Sequence, residues 1–398
     1  MSHRVRYAVG AVLAGLLVPS VVAACSWDYD TIKMERTRFP GTLELITGKF
    51  LRHSPEFYRW RIADRLKRLE SAPADAALLD DLAVAYDKTG RHDEAIETAR
   101  RTERSHPGRY ETAANLGTFY FHTGRLADGL PHIDRALAIN PDAHFGRERV
   151  QKRLAEYVVA RNKAGALPLA DVTVRPPTAS DDSCPPDVTV KNTFADFLSP
   201  ATYGKLGAAE SAAAVKGVLG MMAFGKHDSP VLLEALGACL TQGPENAEAD
   251  AKLLAARAYL KASYEVPDGP ARAAYRALAL RALDMQSNRR GPDASVTVEQ
   301  VEAEFRRELD EGRDWYAALR EREVSWLRDG KNPEAEFDLL YAAEPEVSGK
   351  DVSDPMHPDD RVKLFLLAVG LALVLGTLAT LAGFALLVRR YMRRHAAA

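Results

Sequence analysis

Apolar residues recur at three- and four-residue intervals along most of the chain, with charged residues between them, and this period predicts helices. Ser54 followed by Pro55 opens one such helix, with Tyr58, Ile62, Leu66 and Leu69 on one face and Arg59, Arg61, Arg65 and Arg68 on the remainder. Val150, Leu154, Tyr157 and Val158 mark another between Arg147 and Arg161. Leu253, Leu254, Tyr259 and Leu260, then Ala274, Leu278, Leu280 and Leu283, predict a helical hairpin turning at Pro267 and Gly269. Thr297 and Gln300 form a capping-box pattern that opens a helix towards Leu327, with Val301, Phe305, Leu309, Tyr316 and Leu319 apolar and Gly312 a candidate kink. The short β-branched runs Val172 to Val174 and Val188 to Val190 fall in a stretch rich in Pro, Ser, Asp and Thr and read as loop.

Two runs are apolar all round. Leu364 to Val388 carries no charge and, at about 1.5 Å per residue, exceeds the roughly 30 Å hydrocarbon core of a bilayer. It predicts a single membrane-spanning helix within 362–388, with Arg389, Arg390, Arg393 and Arg394 holding the tail 389–398 in the cytoplasm. Ala8 to Val18, behind Arg4 and Arg6 and ahead of small residues, has the layout of a secretory signal peptide over 1–24. Val22, Ala23 and Ala24 before Cys25 resemble the lipobox of bacterial lipoproteins, which makes Cys25 a lipidation candidate; ordinary cleavage and retention as an anchor are the alternatives. Each places the middle of the chain on the exported side of a cytoplasmic membrane. The region between divides into an amino lobe over 25–165, a proline-rich linker or surface excursion over 166–200, a second helical lobe over 201–342 and a juxtamembrane tether over 343–361.

Within the amino lobe Tyr86 and Tyr120, Gly90 and Gly124, and Pro107 and Pro141 are pairs 34 positions apart. Leu82, Ala83, Tyr86, Gly90, Ala95, Ala99 and Pro107, then Leu116, Gly117, Tyr120, Gly124, Ala136 and Pro141, resemble the packing positions of the tetratricopeptide repeat family, in two units over about 76–143. Gly129 departs from the usual Ala, and Leu79 and Ala113 stand at the early Trp position. The resemblance implies an all-α fold of helical hairpins, which two units alone do not complete, so Ser54 to Leu69 and Arg147 to Arg161 are expected to cap them. It also implies a concave binding face made by Asp80, Val84, Asp87, Glu111, Ala114, Asn115, Thr118 and Phe121, together with Ala77. The Lys and Arg with which some family members hold a peptide carboxylate are missing there. An acidic, partly apolar groove suits a neutral or basic protein segment; the alternative is a groove filled by the chain's own helices.

Composition narrows the chemistry. A formal net charge of −2 with interspersed signs does not suit nucleic acid. Cys184 and Cys239 are an even pair in an oxidising compartment and thus a disulfide candidate, with two unrelated thiols the alternative. Gly220, Gly225 and Lys226 spell a phosphate-loop string, but His227 stands where Ser or Thr should hold the metal, and a helix ending at Gly225 accounts for it. Neither paired Cys/His spacing nor a GxSxG elbow occurs, so no metal, cofactor or catalytic residue is expected. The expected function is that of a membrane-anchored, exported scaffold of the bacterial cell envelope that binds protein partners rather than an enzyme. The alternatives are an accessory subunit of an envelope assembly or transport complex, and an enzyme or solute-binding protein with a pocket between the lobes. A reporter enzyme fused after Ala398 should be active only in its cytoplasmic form; activity only in its exported form would reverse the topology.

Overall fold

Helix boundaries follow the capping chemistry of the sequence. A computed structural model describes residues 40–141, 147–161, 165–175, 187–243, 250–290 and 297–343. Among them are fourteen α-helices and one two-stranded sheet, so the described region is mainly helical. The expected signal segment, Cys25, the tether, the membrane span and the basic tail lie outside the described residues. No helix among the described residues is long and apolar enough to cross a membrane.

The helices are α1 (Thr42–Thr47), α2 (Pro55–Ser71), α3 (Ala76–Lys88), α4 (His92–Ser105), α5 (Tyr110–His122), α6 (Leu126–Ile139) and α7 (Arg147–Arg161). After the strands β1 (Asp171–Arg175) and β2 (Asp187–Lys191) come α8 (Phe194–Leu198), α9 (Ala208–Phe224), α10 (Pro230–Gln242), α11 (Ala251–Tyr264), α12 (Pro270–Arg290), α13 (Val298–Arg328) and α14 (Pro333–Ala342). Ser54 caps α2 by accepting from the Phe57 amide, and Thr297 and Gln300 close a reciprocal capping box on α13.

The 34-residue period is visible in the backbone. Gly90 and Gly124 have φ of 78° and 75°, and Arg91 and Arg125 each donate from their amides to Tyr86 and Tyr120 carbonyls at 2.9 Å. Each arginine also lies over the tyrosine ring of its own turn, at 4.4 and 4.7 Å. Gly129 has a packing reason, since a Cβ there would meet the Phe121 ring at 2.5 Å.

The packing does not divide at 166–200. The two β-branched runs pair as an antiparallel hairpin, from Asp171 opposite Lys191 to Arg175 opposite Asp187. Around it Leu169, Val188, Phe194 and Ala195 are buried. The buried Glu234 of α10 accepts the Leu169 and Ala170 amides at 3.0 and 2.8 Å and the Tyr275 hydroxyl at 2.9 Å. The two runs expected as loop are thus strands, because they pair with each other and the residues leading into them are held by a buried acceptor, neither of which composition signals. One core therefore runs from Leu45 of α1 through Phe121 and Tyr157 to Tyr341 of α14, and a smaller one fills the first hairpin.

The amino and carboxyl ends of the described region meet directly. On α2 Ile62 and Leu69 are buried and Arg59 and Arg68 exposed as expected, but Leu66 is 47% exposed, whereas Arg61 and Arg65 are buried. Arg61 and Arg65 both reach Glu334 at the start of α14, at 2.9 and 2.5 Å, and Arg65 also reaches Asp81 at 2.9 Å. Next to them Glu323 of α13 binds the His53 ring nitrogen Nδ1 at 2.5 Å and the Ser54 amide at 2.8 Å. The His53 ring stacks on Phe57 at 3.5 Å. Burial of arginine is tolerated here because each guanidinium finds a carboxylate. Gly312 does not interrupt α13; its hydrogen replaces a Cβ that would lie 2.5 Å from the Thr47 carbonyl, so α1 and α13 touch backbone to backbone.

Candidate functional site

The residues expected to form a concave wall are mostly interior. Asp80, Val84, Asp87, Ala114, Asn115, Thr118 and Phe121 are buried, and Glu111 is half-buried beside Arg109. Asp80 accepts from Arg109 at 2.8 Å and from the Thr112 hydroxyl at 3.0 Å, and burial pushes its carboxyl up to about 6. Thr118 accepts from Gln151 of α7 at 3.1 Å, while Lys88 donates to the Phe224 carbonyl at the end of α9. Glycines let these covering helices close in: a Cβ at Gly217 would meet Val150, and one at Gly220 would meet Arg147. Gly220 and Gly225 thus serve helix packing and termination, not a phosphate loop. Cys239 is a free, buried thiol whose pKa burial pushes up to about 12, and Cys184 lies outside the described residues.

A different site is open. A cleft of about 650 Å³ lies between the segment after α1, the loop before α10, and helices α11 and α13. Its charged lining is Arg52, Lys261, Arg306, Arg313 and Arg320 against the single carboxylate of Asp310. Helix α13 supplies three of the arginines at intervals of seven, two turns apart each time, which puts them in one row. The Gly312 contact with Thr47 holds that row against the Arg52 segment.

The cations differ in how they are held. Arg52 lies 3.6 Å over the Tyr316 ring and donates to the Gly48 and Phe50 carbonyls, and burial lowers its pKa to about 10. Lys261 pairs with Glu265 at 2.8 Å. Arg306, Arg313 and Arg320 pair with Glu302, Asp310 and Glu56, yet their side chains are 67%, 76% and 50% exposed. Pairs that open to water are weak and exchange readily for another carboxylate. The lining hydroxyls are committed elsewhere: Tyr316 donates to the His53 carbonyl, Tyr264 to Glu302 and Thr47 to Leu43. Only Tyr264 among the lining hydroxyls meets a carboxylate, and burial, followed by the bond to Glu302, pushes its pKa up to about 12, the reverse of an activated nucleophile, so the arrangement suits anion binding better than acyl or phosphoryl transfer.

None of these cleft residues was singled out as a site from the sequence. The signal present was Arg306, Arg313 and Arg320 at seven-residue spacing. What the sequence lacked was any indication that Arg52, more than 250 positions away, faces that row. No protein-family model, curated protein or solved structure matches the chain, so the site is read from its own chemistry.

His227 lines the cleft beside Gly48, where a Cβ would lie 2.9 Å from its ring nitrogen Nε2. Burial, followed by the positive charge of Arg52, lowers its pKa to about 3. The folded chain therefore carries neutral His227 where the unfolded chain begins to protonate below about 6.5. Stability from this residue is complete above that value and falls as pH drops from about 6.5 towards 3. His227→Gln should make the acid-side fall of the denaturation midpoint shallower between pH 6.5 and 4. An unchanged slope would show that His227 titrates normally.

Proposed function

We propose that this chain is an exported, membrane-tethered helical interaction protein of the bacterial cell envelope, and that its cleft holds an acidic element of a protein partner. The observation that carries the reading is the convergence of five cationic side chains on one cleft with only Asp310 opposing them among its lining residues. The resemblance of residues 76–143 to tetratricopeptide repeats supports a role in binding, and the leader and the apolar run Leu364 to Val388 support the placement. In this reading the repeats act as a scaffold for the cleft, because their own wall is occupied by α7, α9 and internal ion pairs. Arginine forks recognise carboxylates in pairs, and the exposed row on α13 offers three such forks in sequence. An acidic segment of a partner would replace the local carboxylates one for one, with little desolvation of buried charge. The restricted volume and the overall charge of −2 favour a short acidic element over a long polyanion.

A photoreactive amino acid placed at Ala317, on the exposed cleft edge, should cross-link to an acidic segment of a partner in cells. Reversing Arg306, Arg313 and Arg320 to Glu should remove that adduct. A control probe at the exposed Glu97 on α4 should not produce it. Persistence of the adduct in the triple variant, or capture from Glu97 alone, would contradict the reading.

A further inference from the structure

The turn end of the two hairpins brings together three side chains that lie apart in the sequence. Asp87 is the penultimate residue of α3, His92 begins α4 and His122 ends α5. Asp87 Oδ1 is 2.8 Å from His92 Nδ1, and Oδ2 is 2.7 Å from His122 Nδ1. The ligand atoms of all three lie within 4.8 Å of one another. Asp87 is almost wholly enclosed, with 2% of its side chain exposed, while His122 is 10% and His92 35% exposed, so the cluster has an enclosed carboxylate and one flank open to solvent. Lys88, the neighbour of Asp87, sends its ammonium to the Phe224 carbonyl.

We propose that Asp87, His92 and His122 form a binding site for a divalent transition metal of the zinc class, which would clip the first hairpin to the second. Two imidazole nitrogens and a carboxylate oxygen are the donor set that zinc and its neighbours in the series prefer, and three protein ligands leave a fourth position to water. Donors around a tetrahedral ion with bonds of about 2.0 Å stand about 3.3 Å apart, so the two carboxylate–imidazole contacts of 2.8 and 2.7 Å widen by roughly half an ångström to admit one. His92 permits this, being the first residue of its helix and facing solvent. On metal entry each imidazole presents Nδ1 as a lone pair and keeps its proton on Nε2, and any second proton leaves to water. Without metal, the same carboxylate is bridged by the two rings. Burial alone would raise the Asp87 carboxyl, but His122 and His92 hold it well below the ordinary carboxylate range. This site is separate from the cationic cleft and does not depend on the reading of that cleft.

The test uses the full chain in detergent, without a histidine tag. Zn²⁺ alone should raise the melting temperature saturably. Co²⁺ should produce visible d–d absorption of a low-coordinate nitrogen and oxygen site. Both responses should be lost in His92→Ala, chosen because its partial exposure leaves the fold intact, and in Asp87→Asn, with helicity as the check. Absence of both responses in the natural chain, or an equal zinc response in His92→Ala, would overturn the proposal.

Discussion

Two carboxylates near the carboxyl end of the described region, Glu323 and Glu334, hold the two ends of the fold together. Glu334 pairs with Arg61 and Arg65, which are buried on α2, Asp81 shares Arg65, and Glu323 holds His53 and the amide of Ser54, the cap of the same helix. A buried ion pair adds little net stability over an apolar contact, but leaving one member unpaired costs several kcal/mol. The arrangement therefore works as a specificity device: α2 has one place to dock where its guanidinium groups are satisfied. Because Arg52 immediately precedes this docked segment, and Arg306, Arg313 and Arg320 lie on the helix that carries Glu323, the same contact assembles the cationic cleft.

How far the sequence discloses this depends on the range of the interaction. Local signals were reliable: the Ser54 cap, the Thr297 and Gln300 box, the hairpin turning near Gly269, and the glycines in register at 90 and 124 all have their expected geometry. Contacts across long separations were not legible. Arg61 and Arg65 read as solvent-facing because charge ordinarily stays in water, and Leu66 read as buried because it keeps the apolar period. The burial of both arginines follows from Glu334, about 270 positions later, which pairs with each of them. The β-hairpin was missed for a similar reason, since its composition is that of a loop and the residues leading into it are held by Glu234, 64 and 65 positions along the chain.

The expected repeat groove shows how few residues are needed to change a binding surface into a core. Asp80 and Asp87 would make an open wall acidic, but here each is matched with internal donors, Asp80 with Arg109 and Thr112, Asp87 with two histidines. Gly217 and Gly220 allow α9 to approach α7 closely, and α7 in turn reaches Thr118. A groove lined by satisfied polar groups and covered by the chain's own helices has little left to offer a partner. The exposed, exchangeable arginines of α13 have more.

The central claim is that one buried clamp creates the anion-binding cleft, and Glu323 separates clamp from cleft because it does not line the cavity. The direct measurement is the affinity of a short fluorescent polyglutamate peptide for the full chain and for Glu323→Gln, at two salt concentrations. The account predicts salt-sensitive binding to the natural chain and clearly weaker binding to the variant at unchanged helix content. Equal affinity for both chains, or no salt-sensitive binding to either, would contradict it.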